Sequence, residues 1–267
     1  MDPMTVITLT TDFGHRDWFV GAIKGVILRQ APGARIVDVA HDAPAGDVAS
    51  AAFLLGQALQ WFPEEAIHVA VIDPGVGGER APLALRWRRG FLVGPDNGLW
   101  SWLERLTGHP VGEARRIENP ACRLPELSRT FHGRDLFAPA AAWLAAGGRF
   151  EDIGPAVAPA VTLPWPEPQP TGDGWRGQVL YVDHFGNLIT NLRNDLLLAP
   201  AGEWVLRWGA EGVAPVADHY GAVKPGEPVA VPGSTGFLEL AVNQRSASRM
   251  LGLGRGAVLE LARRQNA

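Results

Sequence analysis

The chain has 267 residues, 46% of them hydrophobic and 19% charged, with a formal net charge of -4. That is enough apolar material for a sizeable core and enough length for two domains. It leaves no apolar run near the ~18 residues of a membrane span and no basic footprint for nucleic acid. With Cys122 as the single cysteine, it also leaves no internal disulfide framework and no cysteine-built zinc site. Met1–Thr11 lacks the basic flank and apolar stretch of a signal peptide, so a cytoplasmic protein acting on a small molecule or another protein is expected.

The first half alternates strand-like and helix-like segments. Val6–Thr10 reads as a short buried strand running into Thr11-Asp12-Phe13-Gly14. A helix is expected from Asp17, a plausible N-cap, to about Gln30, because Phe19, Val20, Ile23, Val26 and Ile27 share one face. Arg35–Val39 reads as a strand, Asp47–Phe62 as an amphipathic helix, and Ala66–Ile72 as a buried strand ending at Asp73-Pro74-Gly75. Phe91–Val93 is a further strand, and Gly98–Leu106 and Arg134–Ala146 read as helices. Such alternation predicts an α/β fold, a mostly parallel sheet with helices on both faces.

Composition changes near residue 155, where six prolines crowd the stretch Pro155–Pro170 ahead of Gly172 and Gly174. An extended, semi-rigid linker is expected there. Beyond it, Gly177–Val182, Trp204–Trp208, Pro228–Val231, Phe237–Val242 and Val258–Ala262 are short strands separated by Gly, Pro and Asn turns. The predicted organisation is an N-terminal α/β domain over 1–154, a linker over 155–174, and a smaller all-β, barrel-like domain over 175–267.

In open parallel sheets ligands bind beyond the carboxyl ends of the strands. Three strands here end in Asp12, Asp73 and Asp96, amid glycines that let backbone approach a ligand. Each aspartate reads equally as an N-cap or Asx-turn, and Asp96-Asn97-Gly98 suits that role best. Asp73 opens a loop that Arg80 closes, so both can face one pocket. The loop lacks the Gly-Lys-Ser/Thr ending of a P-loop, which argues against a nucleoside triphosphate. In Thr130–Asp135, His132 sits just before a helix, where a neutral imidazole beside a carboxylate and a guanidinium can activate water. His41 competes for that role, and a structural role suits it better. Asp183-His184-Phe185-Gly186-Asn187 reads either as a polar β-turn or as an adenine site, with an amide for the base edge and a ring to stack on it.

Taken together, Thr11–Gly14, Ile72–Gly77, Gly94–Gly98, Thr130–Asp135, Asp183–Asn187 and Ser234–Asn243 occur in one order. Their combination resembles the S-adenosyl-L-methionine hydroxide adenosyltransferases, adenosine-forming S-adenosylmethionine hydrolases related to fluorinase and chlorinase. The likeness runs from about residue 7 to 255. It implies water attack at C5′ of S-adenosylmethionine, with no metal and no separate cofactor. It also implies a homotrimer whose substrate lies between the N-terminal domain of one subunit and the C-terminal domain of its neighbour. It places the catalytic set on Asp73, Arg80 and His132, and the ribose carboxylate on Asp12. Asp17 and Asp183 fall near the methionine ammonium and Asn187 at adenine. Tyr220 falls where an aromatic stacks on the base, and Ser234, Glu239 and Val242 at further substrate contacts. Where the halogenases hold an indole against the ribose, this chain has Ala45-Gly46, so that end of the pocket is expected to be more open.

Three alternatives stand beside this reading. A halide-using relative would carry an aromatic residue at Asp73, whose charge repels a halide, and Gly78–Arg89 has no room for the extra loop of fluorinase-type members. A sensor that binds S-adenosylmethionine or adenosine with little turnover would keep the same binding residues. A metal-dependent hydrolase would draw on Asp12, Asp17, Asp96, His132 and Asp135, which lack close metal-ligand spacing. The tryptophans are assigned to core or interface, and Cys122 to no role.

Overall fold

The computed structural model describes residues 5–159, 161–198 and 201–264. The chain divides into two compact units between Pro164 and Trp165. In the first, β1 (Val6–Thr11), α1 (Phe19–Gln30), β2 (Arg35–Ala40), α2 (Val48–Ala58), β3 (Ile67–Val71), β4 (Pro82–Trp87), β5 (Gly90–Pro95), α3 (Leu103–Thr107), β6 (Val111–Arg116), α4 (Ala138–Ala145) and β7 (Ala156–Val157) follow in sequence. The sheet order is β2-β1-β3-β5-β4-β6-β7. The half from β2 to β5 is parallel and the half from β5 to β7 antiparallel.

Every residue of β3 is buried, as a parallel strand covered on both faces requires. Alternate residues feed two cores. Ile7, Leu9, Val69 and Val93 pack with Ile23 and Ile27 of α1 and Ala138 and Ala141 of α4. Ala70, Leu83, Leu85, Trp87 and Leu92 pack with Ala51 and Leu55 of α2 and Leu103 of α3. The antiparallel half arises at Arg88-Arg89, where a two-residue turn with Arg88 at φ +55° folds β4 back on β5. β4 and β6 were not legible from periodicity.

Other expectations shift at helix ends. α1 begins at Phe19, and the residue ahead of it is Trp18, with no side-chain cap; Asp17 stands exposed and caps nothing. Asp47 does cap α2, accepting from Ser50 N at 3.1 Å and Ser50 Oγ at 2.7 Å. Of the helix expected over Gly98–Leu106, only the part from Leu103 is α-helical. Asn97 takes the preceding turn, its Oδ1 accepting from Leu99 N. The helix expected from Arg134 opens instead as one π turn over Gly133–Phe137, with Ala138 N bonded to Gly133 O. Pro139 supplies a reason: it has no N–H to offer the Asp135 carbonyl, which accepts from Leu124 N at 2.9 Å.

The second unit contains β8 (Gln169–Pro170), β9 (Gly174–Val182), β10 (Leu188–Arg193), β11 (Trp204–Trp208), β12 (Gly212–Pro215), β13 (Pro228–Pro232), β14 (Phe237–Val242), α5 (Ala247–Leu251) and β15 (Val258–Arg263). The antiparallel order is β12-β11-β15-β9-β10-β14-β13, with β8 beside β9. The two edges meet at a Val216–Ala230 bridge, reinforced by Ala217 N donating to Ala230 O at 2.9 Å, so the sheet curls into a nearly closed barrel around Val179, Leu188, Leu206, Leu238, Leu240 and Leu261. The proline-rich stretch is anchored at both ends: Ala156–Val157 pairs with β6 and Gln169–Pro170 with β9. Ala160 within it lies outside the described residues.

Candidate active site

The carboxyl ends of the parallel strands carry the carboxylates that open the loops of the first unit. Asp73 follows β3, and Arg80 closes the loop that Asp73 opens. Their side chains are 3% and 9% exposed. Arg80 Nε lies 3.0 Å from each Asp73 oxygen, and Nη2 donates to Asp73 Oδ2 as well. The loop is tight because Val76 N bonds to Asp73 O and Gly78 N to Gly75 O. Gly77 adopts φ +76°, and a Cβ there would stand 2.1 Å from the Arg129 carbonyl oxygen; only glycine fits.

His132 enters from the start of the π turn. Its Nδ1 lies 2.8 Å from Arg80 Nη2. Arginine has only donors, so Nδ1 must be the acceptor and Nε2 carries the hydrogen of a neutral imidazole. Burial and the Arg80 charge hold His132 below its ordinary 6.5, against the opposing pull of Asp73, Asp135 and a hydrogen bond to the Ser128 backbone. The turn itself is anchored by the fully buried Asp135, whose carboxylate accepts from Ser128 N at 2.8 Å and from Arg134 Nε at 2.6 Å. Arg80 therefore bridges Asp73 and His132, and it also lies over the Phe137 ring at 5.4 Å.

Asp12 closes β1. Its Oδ2 accepts from Gly46 N at 2.8 Å, a close backbone approach made at φ +71°. Asn97 ties the ends of β3 and β5 together, donating from Nδ2 to Ile72 O at 2.8 Å. Asp96 is buried and its Oδ1 accepts from Val161 N. Among the described residues no three His, Cys, Asp or Glu side chains gather at metal-binding distance. Cys122 is buried, and burial with the nearby Asp152 pushes its thiol up to about 11, far from a nucleophile's range.

In the second unit Asp183, Asn187, Tyr220, Ser234, Glu239 and Val242 line one open cavity of about 750 Å³. Asp183 organises the turn between β9 and β10. Its Oδ1 accepts from Asn187 N at 2.8 Å and its Oδ2 from Asn187 Nδ2 at 2.9 Å. Gly186 makes the turn at φ +86°, pressed against Ser246. Glu239 is buried, and its Oε2 accepts from Tyr220 OH at 2.6 Å. Burial raises the Glu239 carboxyl, the Tyr220 bond draws it down, and the neighbouring Asp183 raises it further, for a net upward shift.

Residues 7–154 match the SAM hydroxide adenosyltransferase N-terminal domain and residues 177–260 its C-terminal domain. The chain belongs to the SAM hydroxide adenosyltransferase family. It is similar to the (R)-S-adenosyl-L-methionine hydrolases of Salinispora tropica, at 43% identity over 96% of this chain and 97% of that one, and of Thermus thermophilus, at 43% over 97% and 100%. Proteins named fluorinase match at 29% identity and below. Among solved structures, an uncharacterised conserved protein from Thermotoga maritima superposes with a TM-score of 0.88, at 35% identity over 96% of this chain and all of its own.

Asp17, which the resemblance matches to a methionine-end carboxylate, is exposed ahead of α1. The cavity of the second unit has lining residues not singled out by spacing as contacts: Thr235, Gln244, Arg245 and Ser246. Thr235 Oγ1 is buried without a hydrogen-bond partner among the described residues. Its signal was present, since it stands inside the Ser234–Asn243 segment. Gln244 and Arg245 follow a β14 end whose φ of +61° at Gln244 no sequence pattern announces.

Proposed function

We propose that the protein hydrolyses S-adenosyl-L-methionine to adenosine and L-methionine. The water oxygen forms a bond to C5′ as the C5′–S bond breaks. The electron pair stays on sulfur, which leaves as a neutral thioether and needs no acid. The attacking water loses a proton to Asp73, whose carboxylate is oriented by Arg80. His132, neutral and accepting from Arg80 at Nδ1, completes the group that orients the guanidinium. Holding water and ribose in line supplies much of the rate, since oriented reactants reach large effective molarities. The observation that carries this reading is the continuous contact Asp73–Arg80–His132, made by residues from two separate loops.

Substrate contacts follow from the free valences. Asp12 spends Oδ2 on Gly46 N and turns Oδ1 to the ribose hydroxyls. Asn187 keeps Oδ1 and one Nδ2 hydrogen for an adenine edge, with Tyr220 supplying a ring face. Asp183 receives the methionine ammonium, joined by Asp17, and Ser234, Glu239 and Val242 complete the contacts. The working form is taken to be a homotrimer whose subunits complete each other's sites; a mass of one chain by light scattering contradicts that. No described helix is long and apolar enough to cross a membrane, and a cytoplasmic location belongs to the same proposal.

The test is incubation with S-adenosylmethionine in oxygen-18 water, read by mass spectrometry. Adenosine labelled at the 5′ oxygen, lost in Asp73→Ala, supports water attack at C5′. Stable retention of unreacted ligand without adenosine refutes hydrolysis and favours the sensor.

A further inference from the structure

His41 lies outside the contacts just described, yet it is 1% exposed and touches the Asp12 loop twice. The register of β1 and β2 shifts between Leu9, paired with Asp38, and Thr10, paired with Ala40. His41 therefore follows β2 directly beside Thr11, the last residue of β1. Its Nδ1 lies 2.8 Å from Thr11 Oγ1, and its main-chain carbonyl accepts from Gly14 N at 2.7 Å. One residue thus grips the chain on both sides of Asp12.

The far side of the imidazole faces Asp38: Nε2 stands 3.1 Å from Asp38 Oδ1 without hydrogen-bond geometry, and Asp38 Oδ2 accepts from Lys24 Nζ at 2.6 Å. Phe13 N donates to the same Thr11 Oγ1 at 3.3 Å, so the hydroxyl that meets His41 also holds the residue after Asp12. Burial raises the Asp38 carboxyl, but the bond from Lys24 and the adjacent His41 outweigh it and leave it below its ordinary range. His41 is thus buried and held by two contacts, its ring at Thr11 and its carbonyl at Gly14, and a buried, bonded group rigidifies what it touches.

What it touches is the backbone that aims Asp12. Gly46 N occupies Asp12 Oδ2, and Oδ1 has no hydrogen-bond partner among the described residues. A carboxylate pinned at one oxygen and open at the other is pre-organised for a diol only if its backbone cannot swing. We propose that His41 is a positioning residue for Asp12, clamping the chain at Thr11 and Gly14 so that Asp12 Oδ1 is presented to the ribose hydroxyls. The inference rests on the ribose role assigned to Asp12 above.

The test is calorimetric binding of adenosine and of 2′,3′-dideoxyadenosine to the full chain. Wild type prefers adenosine by a factor on the order of 10 to 100, the worth of hydrogen bonds to a charged group, and Asp12→Ala loses that preference. A folded His41→Ala variant is expected to bind the two nucleosides within about threefold of each other, with KM for S-adenosylmethionine raised more than kcat is lowered. Full preference in His41→Ala overturns the inference, because a residue that merely stabilises the fold lowers Tm without touching this ratio. Thr11→Val, which removes the Oγ1 that meets His41 Nδ1 at similar volume, carries the test if His41→Ala does not fold. A reduced preference at near-native Tm supports the clamp, and an unchanged one overturns it. Wild type that binds both nucleosides equally, or Asp12→Ala that keeps the preference, defeats the ribose role of Asp12 and the inference with it.

Discussion

Nη2 of Arg80 lies 2.8 Å from Nδ1 of His132 while Nε of the same guanidinium stands 3.0 Å from both oxygens of Asp73. A planar fork can serve a carboxylate and an imidazole together; a lysine ammonium is a point donor on a flexible stem and cannot hold both in one geometry. Arg80→Lys is therefore expected to lower kcat/KM by on the order of 100-fold while keeping the fold, as judged by circular dichroism. Activity within a few-fold of wild type would show that the bridge is not needed.

Protonating His132 requires Nδ1, and a protonated Nδ1 repels the Arg80 N–H it now accepts from. Because burial and Arg80 hold this imidazole below its ordinary 6.5, the acid limb of kcat/KM should be centred below pH 6.5. It should vanish from the profile of His132→Asn. Stability has the same sign. The fold prefers the neutral imidazole, so its contribution is present above pH 6.5 and is lost as pH falls below that value. A limb centred at or above pH 6.5 contradicts the assignment.

Gly77→Ala places a methyl group 2.1 Å from the Arg129 carbonyl at φ +76°. Neither partner is a flexible side-chain tip, so the loop must move, at a cost of roughly 1–3 kcal/mol. The loop carries Arg80, so activity should fall with stability, by about tenfold or more at a temperature where the variant is still folded. Denaturant melts paired with kcat/KM on one sample decide it; an active, unshifted variant is the contrary outcome.

Tyr220→Phe removes the 2.6 Å bond to the buried Glu239 carboxylate. A hydrogen bond to a charged group of this kind contributes about 1–2 kcal/mol where the donor is partly exposed. The Tyr220 bond draws the Glu239 carboxyl down against burial and Asp183, so the variant's Glu239 should titrate higher still. Glu239's raised value makes the protonated form the better fit to the fold, so that contribution is present below its ordinary 4.5 and lost as pH rises. The stability loss in Tyr220→Phe should accordingly be largest near neutrality and shrink below pH 4.5. Denaturant melts at pH 7 and pH 4 measure the difference, and equal losses at both would speak against the charged bond.

Local pattern made much of this protein legible in its sequence. Apolar periodicity located α1, α2 and β3 within a few residues, because a buried strand and an amphipathic helix write their faces at spacings of two and 3.6. Asp47 was readable at a helix start because capping is a contact between neighbours in sequence. The motif set from Thr11 to Asn243 pointed to the family, and Asp73 and Arg80 could be paired because only six residues, three of them glycine, separate them.

Tertiary structure decided the rest. β4, β6 and β12 have weak patterns of their own, and long-range pairing makes them strands. The π turn at Gly133–Phe137 needs Leu124 to take the carbonyl that Pro139 cannot use. Asp17 looked like a cap and is exposed, since nothing in four residues says where a helix will find its first bonded turn. The hydrogen on His132 is placed by Arg80, 52 positions away, and the imidazole of His41 by Thr11, 30 positions away. Periodicity is a property of neighbours along the chain. Which atoms share a proton is settled only when packing brings distant neighbours within 3 Å.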